Sequence, residues 1–139
     1  MSADWGNLDK ALFATASWDG TCKVWSVDRA TALTTLQGGV GQQYAALFSP
    51  HQQGTIATTG QDGTVRVWDL RSATAGNPLP QMSFRAAQAD ILAADWNKYH
   101  QGILATAGKD GTIRVWDIRN PLRPTVELPG HQLAVRKIQ

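Results

Sequence analysis

The sequence is poor in several features that mark specialised classes of protein. Its 139 residues include one cysteine, so no disulfide framework is available and a reducing, intracellular setting is expected. Basic and acidic residues nearly balance, with a formal net charge of +2, which does not favour nucleic acid or an anionic membrane as a partner. No apolar stretch approaches the ~20 residues of a membrane span. The first residues also lack the basic and apolar regions of a secretion signal.

Groupings of residues that carry catalysis or bind cofactors are missing as well. There is no Gly-rich phosphate loop and no nucleophile with a plausible base beside it. His51 and His100 lie in separate parts of the chain, and neither has a cysteine or a carboxylate cluster nearby, which makes a poor metal site. The sequence therefore predicts no enzyme, no cofactor and no metal.

One stretch of the sequence occurs three times, and the rest is organised around it. Residues 104–119 read LATAGKDGTIRVWDIR, residues 56–71 read IATTGQDGTVRVWDLR, and residues 12–28 are a looser copy. The aspartates of the three Asp-Gly pairs lie 43 and 48 residues apart, and so do the tryptophans that follow them. A strand-rich period of this size with a Trp-Asp ending is typical of a blade of a WD-repeat β-propeller.

Period-2 patterning and turn residues divide each repeat into four antiparallel strands. Asp-Gly between β-forming residues predicts a tight hairpin turn, because both residues tolerate the positive φ that such a turn needs. Third strands should follow these turns and end at the tryptophans. The other expected strands are second strands at 12–17, 55–60 and 103–108, outer strands at 32–36, 81–84 and 125–128, and innermost strands at 43–48 and 91–96.

These strands predict an all-β fold of about three propeller blades. The repeats span approximately 1–37, 38–85 and 86–129, with the start of a fourth at 130–139. A propeller closes with about four to eight blades, so three would leave apolar blade faces in water. We therefore expect an incomplete ring, a fragment of a longer propeller; assembly of several short chains into one ring is the alternative.

WD-repeat propellers commonly carry a hydrogen-bonded tetrad of His, Ser or Thr, Asp and Trp in each blade. Buried carboxylates and indole N–H groups need partners, which is the physical reason for such a network. Gly39 and Ala87 stand where two of the histidines are expected, which predicts lower stability for the second and third blades. The residues that match the tetrad are Thr15, Asp19, Trp25, Thr58, Asp62, Trp68, Thr106, Asp110, Trp116 and, for a fourth blade, His131.

A binding surface is expected at the rim that gathers the Asp-Gly turns and the starts of the innermost strands. An exposed Trp18 beside Asp90 from another blade would suit a partner helix with apolar and basic stripes. The alternative is that Trp18 merely covers its own turn. The candidate peptide-binding residues on this rim are Trp18, Gln42, Tyr44, Gln61, Asp90, Leu92 and Lys109.

Several segments are more specific than a generic repeat. They read ILAADWNKY at 91–99, RN at 119–120, PTVELPGH at 124–131 and AVRK at 134–137, with SWD at 17–19 and YAALFSPH at 44–51. Together they resemble the WD-repeat receptor for the type-2 peroxisomal targeting signal, a peroxin family. The resemblance covers essentially the whole chain, places it in the N-terminal and middle part of a seven-bladed receptor, and departs at 38–41 and at Ala87.

The resemblance implies a soluble, cytoplasmic receptor that shuttles to the peroxisome. Such receptors bind an N-terminal nonapeptide on cargo proteins: a basic residue, an aliphatic residue, five free positions, His or Gln, then Leu or Ala. Residues seven apart share a helix face, so the first and eighth residues align and the second and ninth align. Asp90 would meet the basic residue, with Trp18, Tyr44 and Leu92 as apolar contacts. The implied partners are cargo, a co-receptor that covers the helix and docking proteins, without nucleic acid or direct membrane insertion.

Two other functions are compatible with the sequence. WDLR at 68–71 and WDIR at 116–119 match the Trp-Asp-x-Arg box of WD-repeat substrate adaptors for cullin ubiquitin ligases. That box is short and occurs frequently, so a match to it is weak evidence for a ligase adaptor. A generic WD-repeat protein-interaction scaffold is the other alternative, and it predicts no affinity for the nonapeptide.

Overall fold

The computed structural model of the protein describes residues 2–6, 8, 11–37, 39–72 and 79–138. Within these ranges the structure consists of twelve β-strands and one 3-10 turn at Leu70–Ser72, and no helix is long and apolar enough to cross a membrane. The strands are β1 Ser2–Trp5, β2 Leu12–Ala16, β3 Thr21–Ser26, β4 Thr34–Gln37, β5 Gln43–Phe48, β6 Thr55–Gly60, β7 Thr64–Asp69, β8 Met82–Arg85, β9 Ile91–Trp96, β10 Ile103–Gly108, β11 Thr112–Asp117 and β12 Val126–Pro129.

The strands form three antiparallel four-stranded sheets. Blade 1 has the order β1-β2-β3-β4, blade 2 β5-β6-β7-β8 and blade 3 β9-β10-β11-β12. Short connections favour pairing of consecutive strands, which is the pattern seen in every blade. The all-β fold expected from the repeats is confirmed, and the outer strands begin only one or two residues later than predicted.

The Asp-Gly turns differ from the prediction in one respect. Only glycines have positive φ in the described residues, with Gly20 at 91°, Gly63 at 71° and Gly111 at 79°, so the aspartates keep negative φ. In each case the glycine N–H donates to the carbonyl three residues earlier, as from Gly63 to Gly60 at 3.2 Å. This is a type I turn followed by a left-handed glycine, the arrangement of three-residue hairpin loops, and not a turn with positive φ at both residues.

Blades 1 and 2 pack through the side chains of their facing surfaces. Blade 1 contributes small and aliphatic residues, among them Ala14, Val24 and Leu36, and blade 2 contributes Ile56 and Trp68. All five are at most 1% exposed. Cys22 is in the same cluster, and burial raises the pKa of its thiol to about 12.

Blades 2 and 3 repeat this interface one blade further along. Val65 and Phe84 of blade 2 pack against Trp96, Leu104 and Trp116 of blade 3. The Phe84 and Trp116 rings lie 4.8 Å apart in a tilted arrangement. Blade 2 is therefore buried on both faces, which explains why all six residues of β6 are buried.

Residues 130–138 carry no strand, although the start of a fourth repeat was expected at 130–139. They nevertheless follow the path of a blade-to-blade connection. Val135 N–H donates to the Gly108 carbonyl at 3.2 Å, just as Gln43 N–H donates to the Ser17 carbonyl at 3.0 Å. A strand needs a neighbouring strand to complete its ladder, and none of the described strands pairs with residues 130–138.

Candidate functional site

Each blade holds its third-strand tryptophan through a threonine on the neighbouring strand. The indole N–H donates to the threonine hydroxyl at 2.9 Å for Trp25 and Thr15, and at 2.9 Å for Trp68 and Thr58. The third pair, Trp116 and Thr106, has a distance of 3.0 Å. These bonds satisfy the indole N–H groups, which would be costly to bury without partners.

The turn aspartates bind their own turns instead of reaching the tryptophans. Asp19 accepts hydrogen bonds from both the backbone N–H and the hydroxyl of Thr21, at 2.9 and 2.7 Å. These bonds, led by the one from the hydroxyl, lower the pKa of Asp19. In the other blades Asp62 and Asp110 accept from the backbone N–H two residues later, at 3.1 Å each.

In blade 2 an arginine fills the place where a tetrad histidine is expected. A Cβ built on Gly39 would collide with the guanidinium of Arg66 and lie 2.9 Å from Asp62 Oδ2. Arg66 donates to that same oxygen at 2.7 Å. The missing histidine is thus replaced by an ion pair from β7, a substitution that the repeat pattern does not reveal.

Blade 3 has the equivalent ion pair, and Ala87 occupies the position where its tetrad histidine was expected. Arg114 contacts Asp110 at 3.0 Å and Glu127 of β12 at 2.8 Å. His131 is exposed, and its ring makes no hydrogen bond within the described residues.

The rim residues predicted from the sequence lie close together in space. Six of the seven line one cleft of about 770 Å³, which runs across the inner strands of blades 2 and 3 and is bordered by the turn of blade 1. Those six are Trp18, Gln42, Tyr44, Asp90, Leu92 and Lys109. The seventh, Gln61, is outside the lining but contacts it, because its side-chain oxygen accepts a hydrogen bond from the backbone N–H of Gln42 at 3.1 Å.

Trp18 is the most accessible aromatic side chain of the cleft. It is 61% exposed, so most of its surface is open to solvent. An exposed indole beside polar groups is typical of residues that anchor a protein partner.

The acidic residue of the cleft is held by a tyrosine from the neighbouring blade. Tyr44 Oη lies 3.0 Å from Asp90 Oδ2 and 3.1 Å from the side-chain oxygen of Gln42. A phenol has one proton, and an ionised carboxylate can only accept, so the Tyr44 hydroxyl donates to Asp90. The Gln42 amide must then turn its NH₂ group towards the phenol oxygen. Burial, followed by the bond to Asp90, raises the pKa of Tyr44 above 10.0.

Two charged residues of the cleft were not among those predicted. Arg136 and Lys137 line the cleft together with Lys109, so the four charged residues of the lining comprise three bases and one acid. The same periodicity that aligns Tyr44 with Leu92 also aligns Leu92 with Arg136, and extending it would have identified this arginine.

The histidines of the loops after the innermost strands have local structural roles or remain exposed. His51 Nε2 donates to the Asn97 carbonyl of blade 3 at 3.0 Å and so ties two blades together. His100 is exposed on blade 3. Within the part of the chain that the structure describes, no three His, Cys, Asp or Glu side chains form a group that could hold a metal ion.

The comparisons with known proteins identify the repeats. The family described as "WD domain, G-beta repeat" matches residues 4–26, 31–69 and 79–117, which is more than half of the chain. The chain belongs to the WD-repeat family. No curated protein gives a significant match. The three matched segments end at or next to the third strands of the blades, where the tryptophans lie.

WD-repeat propellers are in general scaffolds for protein–protein interaction, not enzymes. The fold and the family therefore support protein partners for this WD-repeat protein. Which partner it binds has to be argued from the cleft.

Proposed function

We propose that this WD-repeat protein is the import receptor for the type-2 peroxisomal targeting signal and binds the signal in the cleft. The observation that carries the proposal is the convergence of six rim residues, chosen from the repeats alone, on one cleft of about 770 Å³. The resemblance of the sequence to the receptor family suggests the ligand, and the cleft has apolar side chains and a carboxylate that suit it.

The cleft offers what an amphipathic signal helix requires. Trp18 is exposed, and Leu92 and Tyr44 extend the apolar surface across two blades. Asp90, held by Tyr44 at 3.0 Å, would accept the basic first residue of the signal. An ion pair on an open rim is worth only about 0–1 kcal/mol, so apolar contact with Trp18 and Leu92 must supply more of the affinity.

In this proposal the protein picks up cargo in the cytoplasm and carries it to the peroxisome. A co-receptor would cover the exposed side of the bound helix, and docking proteins would receive the complex at the peroxisomal membrane. Covering the helix would bury more apolar area, which is the main source of affinity that a single open cleft lacks.

The test is fluorescence anisotropy of a labelled Arg-Leu-x5-His-Leu peptide, titrated with the protein in the presence and absence of co-receptor. Asp90→Arg should weaken binding by roughly 5- to 30-fold, because an attraction is replaced by a repulsion. A peptide whose first Arg is replaced by Glu should recover part of that loss. Asp28→Arg, an exposed charge reversal outside the cleft, is the matched control and should bind as the unaltered protein does.

Two outcomes would count against the proposal. If Asp90→Arg and Asp28→Arg bind alike, the cleft is not the binding site. If no peptide binds even with co-receptor present, the import function is wrong.

The ligase-adaptor alternative is favoured by one separate observation. Arg71 and Arg119, the last residues of the two Trp-Asp-x-Arg boxes, each have side chains that are 75% exposed. Each arginine pairs with the aspartate of its own box, at 3.1 Å for Arg71 and 3.0 Å for Arg119. Binding to the propeller-shaped linker of a cullin ligase, lost in Arg71→Ala with Arg119→Ala, would favour this function over import.

A further inference from the structure

The charges around the cleft do not match a peptide that carries only basic residues. Lys109, Arg136 and Lys137 line the cleft against the single carboxylate of Asp90. None of these three bases makes a salt bridge within the described residues. A purely basic ligand would be attracted by one side chain and repelled by three.

The acidic and basic sides of the cleft are adjacent on the rim. The backbone N–H of Lys109, just after β10, donates to the backbone carbonyl of Asp90, just before β9, at 2.9 Å, so the two residues are direct neighbours. Arg136 follows Val135, whose N–H binds the Gly108 carbonyl at 3.2 Å, and this contact places Arg136 near Lys109. A ligand that meets Asp90 with its basic residue and runs towards the Asp-Gly turn of blade 3 therefore brings its next exposed residues to Lys109 and Arg136.

We infer that the cleft selects a helix that carries an acidic residue one turn from its basic residue. This inference rests on the proposed function and specifies its ligand further. In an α-helix, residues three and four positions apart lie on one face about 5.4 Å apart along the axis. When the first residue of the nonapeptide faces the cleft, its fourth and fifth residues face it too, whereas the third and sixth point away. The five free positions of the signal then differ in how strongly a charged side chain there affects binding.

The experiment compares labelled Arg-Leu-x5-His-Leu peptides that differ at a single free position. Glu at the fourth or fifth position should bind about 3- to 10-fold more tightly than Lys at the same position, since each exposed pair contributes a modest attraction or repulsion. The same exchange at the third or sixth position should change Kd by less than about twofold. Raising the salt concentration should shrink the preference, because exposed charges are screened.

Variants of the protein assign the preference to the cleft. Lys109→Glu should abolish or reverse the advantage of Glu at the inward positions, and Arg136→Glu should reduce it. Arg123→Glu is the matched control, because Arg123 is exposed and outside the cleft lining. It removes the same charge and should leave the preference unchanged.

The outcomes separate this inference from the proposed function. Peptides that bind with equal affinity whatever the charge at the fourth and fifth positions would overturn the inference and leave the receptor function standing. A preference that survives both Lys109→Glu and Arg136→Glu would also overturn it. If no nonapeptide binds, with or without co-receptor, the function and the inference both fail.

Discussion

The third-strand tryptophans of blades 1 and 2 have the same hydrogen bond and different surroundings. Trp25 and Trp68 each donate to a threonine at 2.9 Å. Trp68 is 1% exposed because blade 1 packs over it, whereas Trp25 is partly exposed. The hydrogen bond is therefore a property of the single repeat, while burial depends on the preceding blade.

The neighbours of these tryptophans show the same difference. In blade 1, Trp5 and Phe13 lie 5.2 Å apart, Phe13 stacks on Trp25 at 6.3 Å, and Trp5 is 57% exposed. The corresponding residues of blade 2, Phe48 and Ile56, are 5% and 0% exposed. Equivalent residues thus contribute very different amounts of buried apolar area, and stability should follow that area.

Replacing the two tryptophans is the strongest test of this difference. Trp68→Ala should lower the free energy of unfolding by about 3–5 kcal/mol, because a fully buried aromatic side chain leaves a cavity between two blades. Trp25→Ala should cost clearly less, since part of the Trp25 surface is already in contact with water. Urea denaturation followed by circular dichroism measures both. Equal losses would contradict the view that the preceding blade determines the contribution of the tryptophan.

Removing the hydroxyl partners should give a smaller effect of the same kind. Thr58→Val keeps the side-chain shape and leaves the buried indole N–H of Trp68 without a partner, at a cost of about 1–3 kcal/mol. Thr15→Val should cost less, because water can reach Trp25. The same denaturation experiment, with Trp68→Phe as the background control, checks whether the loss comes from the hydrogen bond. In that background Thr58→Val should have little effect, and a full effect there would rule out this explanation.

The smallest effect concerns a polar contact across the interface between blades 1 and 2. Asp4 Oδ2 accepts from Phe48 N–H at 2.9 Å. Burial, with a contribution from Asp95, raises the pKa of Asp4 above 3.8. In the window just above pH 3.8 the folded protein therefore binds more protons than the unfolded chain, and Asp4 makes stability fall as the pH rises through this window.

Asp4→Asn should remove that part of the pH dependence, because the amide keeps an acceptor oxygen for Phe48 and does not ionise. The measurement is the urea midpoint of both proteins from acidic to neutral pH. The variant should gain on the unaltered protein as the pH rises. Curves that stay parallel would show that the Asp4 carboxyl has no shifted pKa.

Much of the fold could be predicted from the sequence because its signals are local. Alternating side chains and Asp-Gly pairs predicted the strands, and the bounds of β5 and β9 match the prediction. The shared period predicted that Trp18, Tyr44 and Asp90 would lie on one rim, since equivalent residues of neighbouring blades occupy equivalent places.

Other features could not be predicted, because they depend on groups that the repeat alignment does not connect. The guanidinium of Arg66 takes the space above Gly39 only because β7 and the loop before β5 meet there. Tyr44 was expected as an apolar contact, yet its hydroxyl holds Asp90, a residue from the next blade. The conformation predicted for the Asp-Gly turns was also wrong, because the pair alone does not specify how many residues the loop contains.

By itself the sequence determined the strands, the threonine partner of each tryptophan and the order of the blades. Each of these depends on spacing along one chain, and a repeat of 43 or 48 residues carries that spacing wherever the blade lies. The tertiary structure alone decided which tryptophan is buried, which arginine replaces a histidine and which charges share the cleft. Those properties depend on distances between blades, and such distances arise only when apolar faces pack against each other and bring remote residues together.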